Sequence, residues 1–131
     1  MKNLFLTIYL LLSIGCFAQN TPYTYASKMP DFKGGDNAAI QFVKENVVFT
    51  KCAADSYDSK LVIIRLTIQK DGSVSNAEVI DSIGCDMYNN FKEASMKMPK
   101  WTPGKLDNGE AVDAYKTISF RATHEKQPIK D

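Results

Sequence analysis

Residues 60–73, Lys60-Leu61-Val62-Ile63-Ile64-Arg65-Leu66-Thr67-Ile68-Gln69-Lys70-Asp71-Gly72-Ser73, contain a strand and the turn that ends it. Val62, Ile64, Leu66 and Ile68 alternate with Ile63, Arg65, Thr67 and Gln69. A period of two marks an extended segment with one buried face, so the even positions are expected to face a core. Lys70-Asp71-Gly72-Ser73 reads as the hairpin turn, with Gly72 accepting the positive φ that a tight connection needs. The chain then returns over Val74–Ile83. There the step from Val74 to Ala77 and Val79 shifts the inward phase by one residue, which predicts a β-bulge near Ser75-Asn76.

Upstream, Phe32-Lys33-Gly34-Gly35-Asp36 is a glycine turn with Asp36 as helix N-cap. The helix, Asn37–Val47, carries Ala39, Ile40, Val43 and Val47 on one side. Phe49–Ser59 reads as a loop. Downstream, Asp86–Met98 forms a second helix with Met87, Phe91, Ala94 and Met98 at helical spacing, and Pro99 ends it. Trp101 then lies between Pro99 and Pro103, with Gly104 behind. This run is expected to act as a corner brace that drops the indole between helix and sheet. Asn108-Gly109 marks a further turn. The last strand, Ala111–Arg121, places Val112, Ala114, Ile118 and Phe120 on one face, with Lys116 breaking the pattern. The order α-β-β-α-β predicts an α+β domain: two helices packed on one face of a small antiparallel sheet of three main strands.

The chain of 131 residues is 44% hydrophobic and 24% charged, which suits one compact domain. Its first 18 residues read as a secretory signal peptide: Lys2, an apolar run from Leu4 to Ile14, and a cut after Ala18. Residues 19–31 form an irregular lead-in, 32–122 the domain, and 123–131 a flexible tail. An alternative reading takes Leu12-Ser13-Ile14-Gly15-Cys16 as a lipoprotein signal, with the chain anchored at Cys16. Either way the protein is expected to be exported to the periplasm or cell envelope. Lys and Arg number 16 against 15 Asp and Glu, and loss of Lys2 balances them. Near-neutrality without charge blocks argues against nucleic-acid binding. Cys52 and Cys85 remain after cleavage, at the open end of the hairpin, and are expected to form a disulfide closing the loop between them.

Signals for catalysis are thin. His124 has no ligand array around it, so no metal site is expected. Gly34-Gly35-Asp36 lacks a phosphate-cradling pattern. Asp55, Ser56 and Asp58 lack EF-hand register, and Met87, Met96 and Met98 fit core packing beside Phe91 better than a soft-metal face. No cofactor, small-molecule substrate or enzymatic activity is expected. Lys116 carries two readings, a charge that deters edge aggregation or a contact to a partner's carboxylate.

Taken together, Phe32-Lys33-Gly34-Gly35-Asp36, Lys70-Asp71-Gly72-Ser73-Val74, Ser82-Ile83-Gly84 and Met98-Pro99-Lys100-Trp101-Thr102-Pro103-Gly104 resemble the C-terminal domain of TonB proteins, in the form common in Bacteroidetes. The resemblance spans about Pro30 to Phe120. It implies a periplasmic module of energy-transducer type whose last strand accepts a short segment of an outer-membrane transporter as an added strand. The corresponding positions here are Asp113, Ala114, Tyr115, Lys116, Thr117 and Ile118. Gly34, Gly35, Asp71, Gly72, Pro99, Trp101, Pro103 and Gly104 carry the structural motifs. Two departures stand out: Lys116 and Thr117 replace an apolar residue and a proline, and the family's long proline-rich spacer has no counterpart before Pro30. The expected partner is a protein, a TonB-dependent transporter, in TonB-linked transport. The alternative is a structural envelope domain that pairs its edge with a second copy as a homodimer.

Overall fold

The structure, a computed structural model, describes residues 21–55, 60–122 and 129–130. The expected signal peptide, His124 and most of the tail lie outside them. The elements are α1 (Asp36–Asn46), β1 (Phe49–Thr50), α2 (Lys51–Asp55), β2 (Lys60–Ile68), β3 (Val74–Asp81), α3 (Met87–Met96), β4 (Gly104–Lys105), β5 (Ala111–Val112), β6 (Ala114–Ala122) and β7 (Ile129–Lys130). The fold is α+β. A three-stranded antiparallel sheet, order β3-β2-β6, carries α1 and α3 on one face.

Binary patterning sets which face is covered. Val62, Ile64, Leu66 and Ile68 of β2 are all fully buried, as their alternation predicts. Ala77 and Val79 of β3 and Ala114, Ile118 and Phe120 of β6 join them. The helices answer with Ala39 and Val43 from α1 and Met87, Phe91 and Ala94 from α3. Each large apolar side chain removed from water contributes about 1.5–3 kcal/mol, so this one layer dominates the fold. Phe91 links its parts, meeting Phe49 edge-on at 6.2 Å and Phe120 at 6.1 Å between ring centroids. On the other face Leu61 and Ile80 are exposed, and Arg65 pairs with Glu78.

The hairpin has the expected turn. Gly72 N–H donates to Gln69 O at 2.8 Å and Gln69 N–H to Ser73 O at 2.9 Å, with Gly72 at φ +88°. The register slips opposite Thr67 and Ile68, leaving Ser75 as the extra residue where the phase shift places a bulge. A second slip, opposite Ile63 and Ile64, leaves Ile80 unpaired between Val79 and Asp81, a bulge that the alternation of Ala77 and Val79 does not announce.

Trp101 is buried at 3% exposure and packs edge-on against Phe32, centroids 5.0 Å apart. Its backbone does as much as its ring. Trp101 N–H donates to Gly72 O at 2.8 Å, and a Cβ at residue 72 would stand 2.1 Å from Trp101 O. The corner and the hairpin tip are therefore docked backbone to backbone. Thr102 continues the brace by exchanging two hydrogen bonds with Asp31, 2.8 and 3.0 Å. After Pro103, Gly104 lies so close to Ala114 Cβ, Lys28 O and Pro30 that an added Cβ would sit 3.1–3.3 Å from all three.

Several expectations need correction. Asp36 is not the cap: Gly35 is, closing a turn onto Phe32 O, and Asp36 occupies the first helical turn without a capping bond. There its carboxylate still faces the positive helix end. Phe49–Ser59 is not all loop, because Phe49 and Thr50 form β1 and Lys51–Asp55 form α2. Thr50 Oγ1 accepts from Ala53 N–H at 3.2 Å and so caps that short helix. The last strand is two elements. Ala111–Val112 pair with Gly104–Lys105 across the Asn108-Gly109 turn, and the sheet strand starts at Ala114. The tail is not wholly free: Ile129–Lys130 pair in parallel with Phe49–Thr50.

Cys52 and Cys85 are bonded, with Cα atoms 5.7 Å apart and 33 residues of separation. Closing a loop of that size stabilises by about 3–4 kcal/mol in the chain-entropy account. The bond ties α2 to a left-handed turn, where Cys85 and Asp86 both have positive φ (53° and 60°) and Met87 N–H closes onto Gly84 O. Two left-handed non-glycine residues together cost about 2–4 kcal/mol, comparable to what the crosslink contributes. Thr50 Oγ1 also donates to Cys85 O at 3.0 Å and holds the turn from outside.

Two outcomes follow for stability. Gly72→Ala forces a side chain into a left-handed position against a carbonyl, and is expected to cost about 2–4 kcal/mol, measured by urea unfolding with Trp101 fluorescence as probe. Asp71 accepts from Ser73 Oγ at 2.6 Å and Ser73 N–H at 2.9 Å, and these bonds hold its carboxyl below the ordinary value of 3.8. A depressed folded pKa gives stabilisation that is complete above the unfolded value and lost as pH falls below it. Asp71→Asn should therefore flatten the stability profile below about pH 4, measured as unfolding midpoints across that range.

Candidate functional site: the β6 edge

β6 lies at the end of the sheet, with β2 on one side only. Antiparallel pairing alternates which residues bond to the neighbour, so every second residue turns its N–H and C=O outward. Tyr115 fixes the phase, because its N–H points away from β2 and donates to Tyr23 O at 3.0 Å. Thr117 and Ser119 share that phase. Their N–H and C=O groups, with Tyr115 C=O, have no hydrogen-bond partner among the described residues. An edge of this kind is a template for another extended backbone.

The six residues singled out along this strand fare differently. Asp113 is engaged twice: its C=O accepts from Tyr23 N–H at 2.8 Å and its Oδ1 from Lys70 N–H at 2.8 Å. Ala114 is fully buried against Gly104 and pairs with Ile68. Tyr115 lies on the uncovered face with the Arg65 guanidinium 4.7 Å from its ring centre. Lys116 points to the helix side, where Nζ meets Asp36 Oδ1 at 3.0 Å at the start of α1. Its charge is thus matched within the chain. Ile118 is buried at 2% and pairs with Ile64. Of the six, only Thr117 is both exposed and open outward at N–H and C=O.

The lead-in narrows the site. Tyr23 forms a parallel bridge with Ala114 and covers the edge from Asp113 to Tyr115. Tyr23 is 45% exposed and Tyr25 84% exposed, so side-chain burial adds little to that hold. From Ala26 onward the segment is anchored: Ala26 and Pro30 are buried, and Lys28 pairs with Lys105. The open stretch is therefore Thr117–Ser119. Ser119 and the role of Tyr23 could not be found in the sequence, since a strand pattern tells which side chains are buried and not which amides lack a neighbour.

α1 forms the wall of this edge. Asp36 sits at Lys116, and Lys44 Nζ lies 5.6 Å from the Phe120 ring centre. Eight helical residues rise about 12 Å and four strand residues about 13 Å. α1 thus runs alongside β6 in the same direction, which puts half-buried Ile40, packed against the core, at about the level of Ile118 along the strand.

The other concavities are less organised. A groove of about 460 Å³ between the end of α1, β1 and α3 is lined by Asn46, Phe49, Asn90, Glu93 and Lys97 among others. Its Asn90 already donates to Val48 O. Among the described residues no three His, Cys, Asp or Glu side chains converge as metal ligands, and no helix is long and apolar enough to cross a membrane. No protein-family model matches the chain, and no curated protein does.

Releasing the lead-in tests the geometry. Tyr23→Pro removes the N–H that bonds Asp113 O, and is expected to speed hydrogen exchange at Tyr115 at least tenfold. Exchange at Ile118, which faces β2, should stay unchanged, as measured by amide exchange NMR.

Proposed function

We propose that this chain is a protein-binding module of TonB C-terminal-domain type, exported to the periplasm or envelope, that captures an extended segment of an outer-membrane transporter by strand addition to β6. The reading includes no catalytic step, cofactor, small-molecule substrate or nucleic acid. One observation carries it: the outward backbone groups of Thr117 and Ser119 are unpartnered among the described residues, on an edge where Tyr23 already makes a strand-like addition. The motif resemblance supplies the kind of partner.

Magnitudes bound the interaction. Hydrogen bonds to Tyr115 C=O, Thr117 and Ser119 number at most five at one partner per group, and each contributes about 0.5–1.5 kcal/mol net. A gross sum of about 3–7 kcal/mol corresponds to a Kd between about 6 mM and about 10 μM, before the loss of translational and rotational freedom, about 4 kcal/mol or more, is subtracted. Backbone pairing therefore needs side-chain contacts to reach useful affinity.

The homodimer fits this edge less well. In antiparallel self-pairing about Ile118, Thr117 would face Ser119 of the second copy, and Arg121 of that copy would fall opposite Tyr115. Tyr23 occupies that place, so a second copy must first displace the lead-in.

The test is titration of the purified, isotopically labelled chain with a TonB-box peptide. Amide shifts are expected from Tyr115 to Arg121, and Ser119→Pro, which removes an outward donor and leaves the β2 ladder intact, should weaken binding about tenfold or more. Unmoved β6 amides at millimolar peptide would overturn the reading. A tight dimer in sedimentation that buries β6 would favour the homodimer.

A further inference from the structure

The strand-addition reading leaves open which segments the edge prefers, and α1, the wall beside it, holds a cation with no ion-pair partner among the described residues. Lys44 Nζ stands over the Phe120 ring at the β6 edge, and no carboxylate lies within ion-pair distance of it among the described residues. Asp36, at the other end of the wall, is already matched by Lys116. The nearest acid on the same helix, Glu45, accepts from Gln41 Nε2 at 2.8 Å. A lysine in the last turn of a helix gains some stabilisation from the helix dipole wherever it points, so position decides its further role. This one is half-buried, with its ammonium held over an aromatic face beside unpaired strand groups.

An added strand places alternate side chains on opposite faces of the sheet. Those opposite Ile118 and Phe120 would fall on the helix side, against Ile40 and Lys44 respectively. Resting on the strand-addition reading, we propose that Lys44 is a specificity-determining residue, and that the edge prefers an extended segment bearing a carboxylate two residues from an apolar side chain. The apolar group packs on Ile40 beside Ile118, and the carboxylate pairs with Lys44 over Phe120. A charge-assisted pair with a half-buried lysine supplies what five backbone bonds lack.

The probes are two extended heptapeptides, one with glutamate two residues from a valine and one with glutamine at that place, titrated into the full chain and read by β6 amide shifts. The glutamate peptide is expected to bind about five- to tenfold more tightly at low salt, with the difference shrinking at high salt. Lys44→Glu should invert the preference and Lys44→Gln abolish it, each with native Trp101 fluorescence. Equal affinities of the two peptides for the native chain, or an unaltered preference in both variants, would overturn the role of Lys44 and leave strand addition standing. If neither peptide moves β6 amides, both readings fall together.

Discussion

The Trp101 N–H to Gly72 O hydrogen bond is short in distance but long in sequence, and much of the molecule is arranged around it. It fastens the end of the segment leaving α3 to the tip of the β2–β3 hairpin, two places that would otherwise meet only through side chains. Gly72 has to be glycine twice over, for its left-handed φ and for the carbonyl pressed against it. Once Trp101 is fixed, Thr102 is aligned to pair with Asp31, and Gly104 is brought against Pro30 and Ala114. The lead-in is thereby led along the end of the sheet until Tyr23 reaches β6. Which part of the β6 edge stays open is a distant consequence of how the indole corner is seated.

The same seating gives the edge two unlike sides. On one, α1 runs beside β6 and presents an ion pair, an apolar side chain and a lysine in sequence. On the other, Tyr115 under Arg65 and the exposed Thr117 and Ser119 face solvent. An edge with unlike walls can discriminate among segments, whereas a bare edge binds by backbone alone and so accepts almost any chain. The disulfide acts elsewhere, at the opposite end of the hairpin, where it holds the left-handed turn that launches α3. The sheet is thus fastened at both ends by contacts that do not touch the open edge.

The legible part of this architecture is the part governed by short-range rules. Val62 to Ile68 declare their burial by alternation, Gly72 declares the turn, and the step from Val74 to Ala77 declares the bulge at Ser75, because each depends on neighbours within a few residues. The helix of Ala39 and Val43 and the helix of Met87, Phe91 and Ala94 are visible for the same reason. Even Lys116 announces itself as an anomaly in a buried register. The elements that escaped are those too short for any period to register: β1, α2, the β4–β5 pair and β7. The cap of α1 was misplaced by one residue because Asp and Gly both suit that position, and only the turn onto Phe32 decides between them.

By itself the sequence determined the class of fold, the sidedness of the sheet and the bulge, since local sterics and the burial of apolar side chains fix these; the pairing of Cys52 with Cys85 is an expectation from their place at the open end of the hairpin. Tertiary structure alone decided that Lys116 is matched by Asp36, that Tyr23 covers the start of β6, and that Thr117 and Ser119 face outward with Lys44 beside them. Those facts concern which backbone groups and charges have or lack a neighbour among the described residues. A vacancy of that kind is a property of how distant segments fill space, and no local pattern of residues encodes it.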